Sequence, residues 1–162
     1  MLYVFVEGPD DNRFFTYLLR GLDFKIVEYA NMSQKKIADY IKSIMSIPGS
    51  DYIFTSDADG LTIAQKTERI KAHYPYCECQ KIHIVQREIE SWYLAGINIE
   101  KYPSIKHRKV LNTDNTSKED FRALIPRRYS RITFMIELLE QYNLRLAKER
   151  NISLTQFVNS VL

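Results

Sequence analysis

Along residues 1–96, short apolar runs alternate with stretches whose apolar positions recur at helical spacing. Residues 2–7 open on Leu2-Tyr3-Val4-Phe5-Val6, which predicts a fully buried strand. In the helix expected next, Phe14, Tyr17, Leu18 and Leu22 are the apolar positions, Asp10 or Asp11 can supply the cap, and Gly21 ends it. A second strand is expected over 24–29, then a helix capped by Ser33 with Ile37, Tyr40, Ile41, Ile44 and Met45 on one stripe. Pro48-Gly49 breaks the chain before a third strand at 51–55. A charged helix over 62–73 and a fourth strand over 81–86 complete the series. Such alternation of strands and helices requires a parallel sheet with right-handed crossovers.

The rhythm then stops. Glu88-Ile89-Glu90-Ser91-Trp92-Tyr93-Leu94-Ala95 reads as a helix ending at Gly96, with Trp92 and Tyr93 packing it onto the sheet. Residues 98–130 are charged and weakly periodic, so loop with short helical turns is expected. A helix over 131–150 follows, and Ser153 with Gln156 has the spacing of a capping box for a final turn. The expected architecture is α/β: a parallel four-stranded, Rossmann-like sheet flanked by helices over 1–98, with a basic, mostly helical extension over 99–162 packed on it.

Composition narrows the class. The 162 residues are 45% hydrophobic and 27% charged, an ordinary globular balance that excludes wholesale disorder. The opening apolar run meets Glu7 at once, too short for a signal sequence or a membrane span, so a cytoplasmic protein with no membrane partner is expected. Cys77 and Cys79 are too close together to staple a large loop. With His73 and His83 they have a near-symmetric spacing, but Cys-x-Cys is not the usual pattern of a structural zinc site, and His83 alternates with Ile82 and Ile84 as in a strand.

Charge is distributed unevenly around a net +3. Residues 1–60 hold nine acids against six bases, whereas residues 100–150 hold twelve bases against seven acids. An acidic centre beside a basic flank suits a polyanion held by its phosphates. Lys106, Arg108, Lys109, Arg127, Arg128 and Arg131 are the candidate nucleic-acid contacts, together with Arg87. The same residues also read as ordinary solvated charges.

The strongest chemical pattern is a pair of acidic motifs, each where an apolar strand runs out: Glu7-Gly8-Pro9-Asp10-Asp11 and Ser56-Asp57-Ala58-Asp59-Gly60. If the two strands are parallel neighbours, Glu7, Asp57 and Asp59 converge in the crevice where open α/β sheets place their ligands. Carboxylates about 4 Å apart repel by roughly 4 kcal/mol at an effective dielectric near 20. A hard divalent cation would neutralise them.

Glu7-Gly8 after the first strand and Asp57-Ala58-Asp59 after the third resemble the Toprim domain of topoisomerases, primases and certain nucleases. Asp11 and the Arg87-Glu88-Ile89-Glu90 segment are similar to the overcoming-lysogenisation-defect group of Toprim nucleases. The resemblance covers roughly residues 1–96. It implies Mg2+ or Mn2+ and hydrolysis of phosphodiester bonds in DNA or RNA, with Glu7, Asp11, Asp57, Asp59 and Glu88 as metal ligands. Glu7, Asp57 and Asp59 would be the catalytic acids. Glu90 competes with Glu88, and Lys118 is the candidate for stabilising transition-state charge. That group fuses its nuclease to an ATPase, but this chain has no Gly-x-x-x-x-Gly-Lys loop, so an ATPase acting in trans, in phage defence, is the implied partner. No tyrosine stands out as a topoisomerase nucleophile. Two other readings fit the acids: a non-catalytic Toprim-like module that binds nucleic acid or a partner, and a receiver-like phosphoacceptor, which lacks its fifth strand here.

Overall fold

The computed structural model describes residues 1–102, 105 and 110–162. These form two compact units, Met1–Ile84 and Val85–Leu162.

Four parallel strands, β1 (Leu2–Val6), β2 (Phe24–Glu28), β3 (Asp51–Asp57) and β4 (Ile82–Val85), lie side by side in the order β2-β1-β3-β4. The connections are helical: α1 (Pro9–Leu18), α2 (Gln34–Met45) and α3 (Ile63–His73). The α/β, Rossmann-like fold expected from the alternation is therefore present. Because β1 leads to β2 on one side and meets β3 on the other, the strand order reverses between β1 and β3. Open sheets bind ligands at such a switch point.

Strand residues of alternating direction supply the core. Phe5, Val27, Tyr52, Phe54, Ile82 and Ile84 pack with Ile37, Ile41 and Ile44 of α2 and Ile70 of α3. The spacing of those α2 isoleucines is the predicted stripe, and Ser33 caps the helix by accepting from Lys36 N–H. Met45, at the end of the stripe, is exposed instead. In α1 the buried positions are Phe14 and Phe15, with Leu19 just beyond. The helix stops at Leu18, so Leu22 falls outside it and is exposed. Gly21, at φ +97, makes the turn into β2.

In the second unit, α4 (Glu90–Ala95) is buried along its whole length and packs against α5 (Lys118–Leu124), α6 (Arg131–Glu140) and α7 (Leu144–Arg150). The division at 84/85 therefore groups the Arg87–Ala95 stretch with the later helices, whereas the expected boundary at 98/99 groups it with the sheet. The helix expected over 131–150 is two helices, because Asn143 caps a new one by accepting from Leu146 N–H. The last element, α8 (Ile152–Val161), is a full helix capped by Asn151, which accepts from Leu154 N–H. Ser153 is not the cap. Its hydroxyl accepts from Trp92 Nε1 at 2.8 Å and donates to Asn151 Oδ1. Trp92 packs on Phe157, ring centroids 5.4 Å apart.

Gly96, which follows α4, is a glycine for a steric reason. A Cβ there would stand 2.3 Å from the Tyr142 ring, whose hydroxyl donates to the Trp92 carbonyl at 2.7 Å. Among the described residues, no helix is long and apolar enough to cross a membrane.

Candidate functional site

Sheet register assembles the first unit's site. Val6 pairs with Glu28 and Phe5 with Phe54. One or two steps further, Glu7 lies between Tyr29 and Ser56. Ser56 Oγ donates to Glu7 Oε1, Asp57 N–H donates to the same oxygen at 3.2 Å, and the Tyr29 hydroxyl lies 3.3 Å from it. The hydroxyl also lies 3.0 Å from the Thr55 carbonyl, so one proton serves two acceptors. Burial first, and the Glu7 carboxylate second, push the Tyr29 phenol far above the ordinary tyrosine range. It remains a neutral donor and is unsuited to act as a phenolate nucleophile. Tyr74 is raised by the same two causes in the same order.

The remaining acids gather around this row. Asp57, the last residue of β3, is 5% exposed. Asp59 follows at φ +52, a left-handed conformation that aspartate tolerates better than most residues. Lys66 Nζ lies 2.5 Å from Asp59 Oδ2 and 4.0 Å from Glu7 Oε1, and Lys66 is itself only 8% exposed. Asp11 is buried at the start of α1, where it accepts from Gly8 N–H at 3.2 Å. Asp10 pairs with Arg13. The helix cap expected of Asp10 or Asp11 falls to Gly8, with Asp11 reaching back to it.

A cleft of about 240 Å³ opens over this row, lined by Glu7, Tyr29, Ser56, Asp59, Lys66, Arg69, His73 and Tyr74 among others. Its floor is acidic and its α3 wall is basic. Sequence reasoning missed Tyr29, Ser56, Lys66 and Arg69. A signal for Lys66 was present: a lysine in the first turn of a helix opposes the helix dipole, which points to nearby carboxylates.

Oxygen donors of this kind suit magnesium or manganese. As placed, however, they do not form an ion site. The Lys66 ammonium sits among them, and among the described residues no group of three or more histidine, cysteine, aspartate or glutamate side chains is arranged to hold a metal. Cys77 is buried and Cys79 exposed, both as free thiols.

The other candidates belong to the second unit. Glu88 accepts from Lys118 N–H, the first of α5, and its carboxylate lies 3.6 Å from Lys118 Nζ. Glu90 is fully buried and accepts from Arg131 Nη2 at 2.6 Å. Lys118 and Arg131 are thus engaged by the acids of the turn after β4. Arg87, in that turn, is exposed and held at φ +71. Arg127 and Arg128 are exposed, the latter over the Tyr129 ring at 4.7 Å. Lys106, Arg108 and Lys109 lie outside the described residues.

Comparison with family models, with curated proteins and with solved structures gives no match for this chain.

Proposed function

We propose that this chain is a Toprim-type nuclease that hydrolyses phosphodiester bonds in DNA or RNA at the C-terminal rim of its sheet. The observation that carries the reading is the row at the switch point between β1 and β3, where the Asp57 backbone N–H bonds the Glu7 carboxylate and Lys66 joins Glu7 to Asp59. Three donors fix one oxygen of Glu7, so the carboxylate is oriented at the cleft rather than swinging in solvent. Dependence on magnesium or manganese, and an ATPase acting in trans, come from the resemblance and are part of the proposal.

The position of Lys66 favours a second reading, a module that keeps the fold and binds nucleic acid without cutting it. Already neutralised acids need no ion to be stable. One assay separates the two. Purified protein is incubated with plasmid, single-stranded DNA and structured RNA, with magnesium, with manganese and with chelator. Cleavage that chelator abolishes is expected. Salt-sensitive binding with no cleavage under any condition would select the second reading.

A further inference from the structure

We propose that α3 is the wall that grips the nucleic acid: Arg69 and His73, on one stripe with Lys66, bind neighbouring backbone phosphates of a single strand, beside the acids of the rim that Lys66 holds. The inference rests on the proposed action on nucleic acid and names the substrate form and the contacts.

Steps of three and four residues place these side chains on one helical stripe. At 1.5 Å of rise per residue the row is about 10 Å long. All three residues line the same cleft as Glu7, Ser56 and Asp59. Lys66 lies at the acidic floor, buried and paired, whereas Arg69 and His73 are exposed. His73 Nδ1 lies 3.0 Å from the Arg69 carbonyl, which only accepts, so Nδ1–H donates there and fixes the ring against the last turn. The contact to phosphate is then made through Nε2, in the imidazolium form that carries a proton on both nitrogens.

No acid shares the stripe. The single acid of α3 is Glu68, and among the described residues no carboxylate pairs with the Arg69 guanidinium. A guanidinium left to solvent gains charge-assisted N–H···O bonds from a phosphate.

Aromatic rings complete the cleft. Tyr74 and Tyr29 line it, and Tyr29 is backed by Phe54 with centroids 4.5 Å apart. A basic track beside aromatic faces is the arrangement that binds single strands without reading sequence, phosphates on the cations and bases on the rings.

The test is fluorescence anisotropy of a short labelled oligothymidylate, titrated with the whole chain in chelator over a range of salt. Arg69→Ala is expected to raise Kd about fivefold and to flatten the log Kd against log salt slope by about 0.7. Arg69→Glu is expected to weaken binding further, and His73→Ala less. Both positions are exposed, and far-UV circular dichroism checks that the variants are folded. A parent that does not bind, or an Arg69→Glu variant with the parent's Kd and slope, overturns the proposal. The two readings fail separately: binding that depends on Arg69, with no cleavage under any metal condition, removes the nuclease and keeps the wall. Cleavage by Arg69→Glu with the parent's KM removes the wall and keeps the nuclease.

Discussion

The two units use their acids in opposite ways. In the first, Glu7 and Asp59 line an open cleft at the rim, where hydroxyls, the Asp57 backbone N–H and Lys66 hold them. In the second, Glu88 and Glu90 stand three and five residues beyond the end of β4 and serve helix packing, one accepting from the first N–H of α5 and the other, fully buried, paired with Arg131. Position near a strand end therefore does not by itself decide what an acid does. Its neighbours decide: a short polar row with a cleft above it leaves a carboxylate available, whereas an arginine on a packed helix consumes it.

Substitutions test this contrast, the largest effect coming from the rim. Asp57→Ala is expected to reduce cleavage by about a hundredfold or more while leaving the fold intact. Single-turnover rates on labelled substrate measure this, and a variant as active as the parent would remove Asp57 from the site.

In the second unit the expected loss is of stability. Arg131→Ala strands a fully buried carboxylate and should cost about 3–5 kcal/mol, read from urea unfolding. Replacing the pair together, Arg131→Met with Glu90→Leu, should recover most of that loss. If the single variant unfolds like the parent, Glu90 is not held as described.

Gly96→Ala drives a methyl group into the Tyr142 ring. A cost of about 1–3 kcal/mol is expected. Tyr142→Leu in the same background should relieve it, and a neutral Gly96→Ala would mean that the ring moves aside freely.

The smallest effect is a pH dependence in the first unit. Burial, then Lys81, lowers the pKa of His83, so the folded state disfavours its protonation. Between the unfolded histidine value, about 6.5, and the lower folded one, the unfolded chain binds more protons. Stability therefore rises with pH through that window and falls as the solution is acidified. Comparing urea midpoints of the parent and His83→Gln across this range should show a shallower slope in the variant; identical slopes would assign the dependence elsewhere.

The sheet and α2 were legible because burial on one or both faces imposes a period: Phe5, Tyr52 and Phe54 read as strand, and Ile37, Ile41 and Ile44 as helix. That Glu7 and Asp59 need partners was legible for a related reason, since an acid close after a buried run is costly to leave alone. Lys66, Tyr29 and Ser56 were not, because register and a helix turn bring them in from separate elements. The second unit was the hardest to read. Its helices are joined by polar side chains bonding distant backbone, such as Arg150 to the Ala95 and Ile97 carbonyls and Asp114 to Ile152 N–H. Such bonds leave no periodic trace in the sequence. Asn143 and Asn151 did carry a local signal, that of helix caps, but it lies inside stretches that also read as continuous helix or loop.

The convergence of the rim acids is tested most directly by thermal unfolding of Lys66→Met beside the parent, with and without millimolar magnesium. The variant should melt lower than the parent and regain part of the loss in magnesium, with a larger shift than the parent shows, because the acids lose their resident cation and take up another. A Lys66→Met protein as stable as the parent and indifferent to magnesium would show that Glu7 and Asp59 do not share one electrostatic site.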